Sequence, residues 1–281
     1  MSIKNLLAVL TDVKAGRGVF ETALAVQRHL GCHIDALHVR PDPVAGLPLV
    51  GEAMAGSMVE EMMAIAEKES AARAQAVRGM VDALGAGNGN LSWIDGSGAE
   101  DQVLAVRAGR ADLIVLARPT RENETAALMT LNAALLQSGR PVLVAPPPPE
   151  SSSKSTGVTR FAHIAVFWNG SPEATRAVAA SLPFLTRATC VTVLRVEEEE
   201  WFAPIEDLEA YLGHHGITMN LAKVPPGQTR TGQALLAATA EAGADLMVMG
   251  AYTRSKLRQL VLGSVTGHVM QHATLPVLLS H

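Results

Sequence analysis

The 281-residue sequence predicts two tandem doubly wound α/β units, each a parallel sheet covered by helices on both faces. Three observations predict it. Blocks recur along the chain: Ala111-Asp-Leu-Ile-Val-Leu-Ala117 matches Ala244-Asp-Leu-Met-Val-Met-Gly250, and Arg140-Pro-Val-Leu-Val144 matches Leu275-Pro-Val-Leu-Leu279. Short apolar runs alternate with helical patterns, the rhythm of strands joined by helical crossovers. The runs are nearly continuous in Leu, Ile and Val, as strands buried on both faces require. Right-handed crossovers wind such strands into open sheets that bind ligands beyond their carboxyl ends.

The elements follow in chain order. The first half opens with a strand at 6–10, then Thr11-Asp12 and a helix over 19–30. Strands at 33–39, 91–94, 113–116 and 141–145 alternate with helices at 58–84, 101–108 and 126–137. Met58, Met62 and Met63 sit at helical spacing, which reads as gap-filling core rather than a pocket lining. Pro146-Pro-Pro-Pro149-Glu-Ser-Ser-Ser153 has almost nothing apolar to bury and reads as a linker. The expected domains are 1–146 and 159–281, with 147–158 between them. The second half has strands at 163–167, 191–196, 221–224, 246–249 and 277–279 and helices at 205–212, 232–242 and 264–272. Its opening strand leads into Trp168-Asn169-Gly-Ser171.

Composition narrows the function classes. A hydrophobic content of 48% supports two real cores without a metal or disulfide staple. A net charge of -4, a pI near 6.1 and 4% aromatic residues argue against nucleic acid as a partner, because neither a basic footprint nor stacking platforms are available. Cys32 and Cys190 each precede a second strand and read as equivalent buried positions in a reducing compartment. The first strand follows Met1 almost directly, and no apolar run reaches the roughly 20 residues of a membrane helix, so a cytoplasmic protein without membrane contact is expected. Glu197-Glu-Glu-Glu200 reads as a solvated loop.

The stretch from Ala244 to Ser264 reads as a buried strand, a loop and a helix start. Free N–H groups and the positive end of a helix dipole at Gly263-Ser264 could hold an anion without any lysine. This stretch resembles the universal stress protein signature G-x2-G-x9-G-[ST], with Gly250, Gly263 and Ser264 in register and Thr253 where the second glycine belongs. The resemblance covers the whole chain as a tandem member and implies Rossmann-like, adenine nucleotide alpha hydrolase-like domains. It further implies a stress-response protein that binds ATP or another adenine nucleotide through Asn169, Met249, Gly250, Thr253, Gly263, Ser264 and Val265. Asn169 stands where the family places a nucleoside-binding aspartate, and an amide both donates and accepts. Trp168 either stacks on adenine or fills its pocket.

The first half keeps Thr11-Asp12, but Ala117-Arg-Pro-Thr-Arg-Glu-Asn-Glu-Thr125 has no glycine for a backbone cradle. Arg118 and Arg121 either hold an anion by side chain or belong to a polar loop. One functional half and one structural half are therefore expected. Three readings stay open: a nucleotide-binding regulatory module, a nucleotide-free protein that binds a protein partner, and a slow ATPase or adenylyl-transfer enzyme for which no general base stands near the loop.

Other constellations carry less. His268 and His272, four apart, lack a third zinc ligand at defined spacing. His214-His215-Gly216 reads as a helix end with a left-handed glycine cap. No Gly-x-Ser-x-Gly elbow or Cys-x-x-Cys pair occurs. Members of the resembled family typically pair through their last strands, which implies an intrachain pseudo-dimer formed by the segments at 141–145 and 276–279. Whether the whole chain forms a homodimer stays open.

Overall fold

The computed structural model describes residues 2–42, 56–120, 124–146, 160–196, 204–225, 231–251 and 264–281. The first half comprises β1 (Asn5–Val9), α1 (Val13–Leu30), β2 (His33–Arg40), α2 (Gly56–Leu84), β3 (Leu91–Ser97), α3 (Glu100–Arg107), β4 (Leu113–Leu116), α4 (Glu124–Asn132) and β5 (Val142–Val144). The second comprises β6 (His163–Phe167), α5 (Pro172–Leu185), β7 (Cys190–Val196), α6 (Ile205–His214), β8 (Met219–Val224), α7 (Thr231–Glu241), β9 (Leu246–Gly250), α8 (Ser264–His272) and β10 (Val277–Ser280).

Among the described residues ten strands form one sheet in the order β3-β2-β1-β4-β5-β10-β9-β6-β7-β8. Every pairing is parallel except the central one, where β10 runs antiparallel to β5 with Val277 opposite Val144. In each half the winding direction reverses beside its first strand, between β1 and β4 and between β6 and β9. Alternate strand residues enter opposite cores: Leu6, Ala8 and Leu10 face α1 and α2, and Leu7 and Val9 face α3 and α4. The core containing α1 runs on without a break into that of α5 and α6, and the other joins α3 and α4 to α7 and α8. The result is a three-layer molecule with helices on both faces of the sheet.

The repeated Ala-Asp-Leu block has a structural task. Asp112 accepts the backbone N–H groups of Lys4 and Asn5 at 2.8 and 3.0 Å. Asp245 likewise accepts those of Ala162 and His163 at 3.0 and 3.1 Å. Each carboxylate ties the amino end of its half's first strand to the fourth, at the end of the sheet opposite the strands' carboxyl ends.

Several sequence expectations need correction. α1 starts at Val13 rather than 19, because Asp12 caps it by accepting the Ala15 N–H at 2.8 Å. α5 has no counterpart among the expected helices, although Ser171 at its N-cap and Pro172 in its first turn announce it; Pro183 inside the helix disguises it. Instead of continuing as an α-helix, the segment after α4 widens into a π-helical turn at Ala133–Gln137. Met58 and Met62 are 55% and 37% exposed, so the start of α2 is not core. The cysteines are not equivalent. Asn5 pairs with His33 and His163 with Cys190, so Cys190 corresponds to His33, one residue beyond Cys32. The expected linker 147–158 and the acidic run 197–200 lie outside the described residues.

Candidate functional site

The candidate site lies at the carboxyl ends of β6 and β9, where the second half's strand order reverses. Val166 pairs with Val248. Continued along the strands, that register brings Trp168 level with Gly250 and places Asn169 one residue further out. Asn169, Met249 and Gly250 therefore meet at one edge. Ser264 is the first residue of α8, and half-buried Val265 follows it. Thr253, Gly263 and the Ser264 side chain lie outside the described residues.

Asn169 is partly committed. Its Oδ1 accepts the Ser171 N–H at 3.1 Å, an Asx turn that leads into α5, and Ser171 Oγ accepts the Ala174 N–H at 3.2 Å as the helix cap. The Asn169 amide nitrogen makes no hydrogen bond to a described residue.

Trp168 fills core. It is 4% exposed, and its backbone N–H donates to the Leu194 carbonyl at 3.2 Å just as Leu10 donates to Leu37 at 2.8 Å in the first half. The indole occupies the leucine's place, and its Nε1–H is buried without a partner. That burial leaves no face for stacking on a base.

Gly250 is glycine for a reason other than a turn. A Cβ there would lie 2.7 Å from the Ala174 nitrogen and 2.8 Å from the Glu173 Cβ, so the missing side chain lets the first turn of α5 settle on the end of β9. Glu173 is consequently 4% exposed and makes no hydrogen bond or ion pair to a described residue. Sequence reading missed this carboxylate, which became visible only once α5 was placed.

The first half's edge is closed differently. Glu100, in the first turn of α3, accepts Thr11 Oγ1–H at 3.1 Å and Thr130 Oγ1–H at 2.8 Å. A carboxylate thus spans the gap between the end of β1 and α4. Ala117 occupies the position of Gly250, as the β1–β4 and β6–β9 registers show. Arg118 next to it is buried, and its Nη2–H donates to the Leu275 carbonyl at 3.2 Å across the junction of the halves. Burial lowers the Arg118 guanidinium to about 10, which leaves it cationic at neutral pH.

Elsewhere, His268 and His272 stack with centroids 4.1 Å apart, and His272 Nδ1 lies 2.9 Å from the His268 carbonyl oxygen. Among the described residues no cluster of three or more His, Cys, Asp or Glu could hold a metal ion. No described helix is long and apolar enough to cross a membrane.

Comparison with known proteins bears on the fold. Residues 227–281 match the model of the universal stress protein family. The fold is similar to the crystal structure of a universal stress protein from Archaeoglobus fulgidus DSM 4304, with a TM-score of 0.68 at 17% identity over 99% of this chain and 96% of that one. It is also similar to a Pseudomonas aeruginosa UCBPP-PA14 protein named for the same family, with a TM-score of 0.56 at 13% identity over 99% and 93% of the two chains. Curated protein sequences give no significant match. The family model thus matches the carboxyl-terminal part of the chain, and the solved structures share its fold along its length.

Proposed function

We propose that this stress-response protein is an adenine-nucleotide-binding regulatory module with one site per chain, in a second domain at 159–281 that a linker at 147–158 joins to a structural domain at 1–146. The observation that carries the reading is the meeting of Asn169, Met249 and Gly250 at the reversal point between β6 and β9. The Asn169 amide donates to the base or ribose. Backbone N–H groups at the start of α8, with Gly263, Ser264 and Thr253, face the phosphates, and Met249 and Val265 provide apolar contact. ATP is the ligand that the family resemblance favours. Binding, rather than hydrolysis, is the proposed activity.

The test is to denature freshly purified protein and identify what it releases by chromatography and mass spectrometry, for the wild type and for Gly263→Val. ATP or ADP from the wild type, reduced about tenfold or more in the variant, is the expected result, since a branched side chain at position 263 would hinder the close backbone approach that the family resemblance assigns to this glycine. An empty wild type that also fails to bind ATP at millimolar concentration sinks the proposal.

A second reading, a nucleotide-free protein that acts through a protein partner, is favoured by buried Trp168 and by the Glu173 carboxylate beside Gly250, which repels phosphate. Trp168→Leu, which copies Leu10, separates the two. Nucleotide binding that appears only in this variant supports the second reading.

A further inference from the structure

We propose that Arg118 holds a small free oxyanion of the phosphate or sulfate class at the junction of the two halves. This site is independent of the one proposed between β6 and β9.

Arg118 follows β4 by two residues, at the carboxyl end of the first half's sheet. Leu275, whose carbonyl it meets at 3.2 Å, lies two residues before β10. Because β10 runs antiparallel to β5, the carboxyl edge of the first half here adjoins the amino edge of the second. Only 6% of Arg118 is exposed, and its Nε and Nη1 are buried without a hydrogen-bond partner. No salt bridge to a described carboxylate compensates it.

A guanidinium carries five N–H donors and a fixed positive charge. One neutral carbonyl satisfies a single donor and leaves the charge uncompensated, an arrangement that burial strongly penalises. A bidentate oxyanion along one edge of the guanidinium would supply both the missing acceptors and the missing charge. In the first half the anion-holding role thus passes from a glycine backbone cradle, which the sequence lacks, to a side chain.

The experiment is thermal unfolding of the full chain in inorganic phosphate and in chloride at equal ionic strength, for the wild type, Arg118→Met, Arg118→Lys and Gly263→Val. Phosphate should raise the wild-type melting temperature by about 3 °C or more, as an anion well above its dissociation constant stabilises the folded state. The rise should persist in Gly263→Val, shrink in Arg118→Lys and fall in Arg118→Met to the general salt effect. Equal rises in the wild type and both Arg118 variants would overturn the proposal. So would a rise abolished by Gly263→Val, which would place the phosphate at the second-half loop instead. If Arg118→Met fails to fold, Arg118→Lys carries the comparison, and an undiminished rise there also overturns it.

Discussion

At the end of β4 the first half carries Ala117 and Arg118; at the end of β9 the second carries Gly250 and Ala251. The strands that lead there are in matching register, yet the edges beyond them are built in different ways. In the second half α5 descends onto Gly250, and Trp168 fills the space below. In the first, Glu100 is strung between Thr11 and Thr130, and Arg118 reaches across to the other half. The sheet and its Asp112 and Asp245 ties recur in both halves, whereas the edge at the carboxyl ends of the strands does not. Backbone register sets where a site can form, and a few side chains at strand ends decide whether it does.

Gly250→Ala compared with Ala117→Gly should give the largest difference between the halves. The new methyl at Gly250 meets backbone at 2.7 Å, so overpacking should cost about 2 kcal/mol, while Ala117→Gly should cost no more than about 1 kcal/mol. Urea denaturation measures both. Equal losses would show that α5 yields and that the close approach is incidental.

The strand ties should behave alike. Asp112→Asn and Asp245→Asn each weaken two charge-assisted hydrogen bonds at partly exposed ends, and each should destabilise by about 1 kcal/mol. A loss confined to one of them would mean that the structural repeat, too, has diverged.

The smallest effect concerns the seam. His29, near the end of α1, stacks on Phe184 at 5.9 Å and meets Phe161 edge-on at 5.5 Å, while Arg187 donates to its carbonyl. Burial first, and the Arg187 charge second, hold the His29 imidazole below its ordinary value of 6.5, against a smaller opposing pull from Asp245. The unfolded chain therefore takes up this proton more readily than the folded one. The contribution of neutral His29 is present above pH 6.5 and is lost as pH falls from there through the lowered value. Between about pH 7.5 and about pH 5.5 the wild type should lose more melting temperature than His29→Phe. Parallel losses would show that the seam does not sense this proton.

Much of the fold was legible because parallel strands carry their burial in local pattern. The runs around Leu113 and Leu246 announced themselves, as did the repeated blocks, whereas the meeting of β5 with β10 was implied only by the family resemblance. The last strand of each half would otherwise be an open edge. α5 was missed because Pro183 imitates a breaker, and the exposed Met58 and Met62 misled because helical spacing does not say whether anything lies opposite. Of the candidate site, Asn169, Met249 and Gly250 were legible as strand-end residues. Glu173, the capture of Asn169 by Ser171 and the burial of Trp168 were not.

The sequence by itself pointed to the strands, the repeated blocks and the asymmetry of the glycine motif, since strands are written in local apolar runs and the rest is read by comparing one stretch of the chain with another. Only the tertiary structure decided that Gly250 serves α5, that Glu100 closes the first half's edge and that Arg118 is buried beside Leu275. These contacts join residues far apart in the chain, and their energies depend on which groups lose water together, which no local spacing encodes.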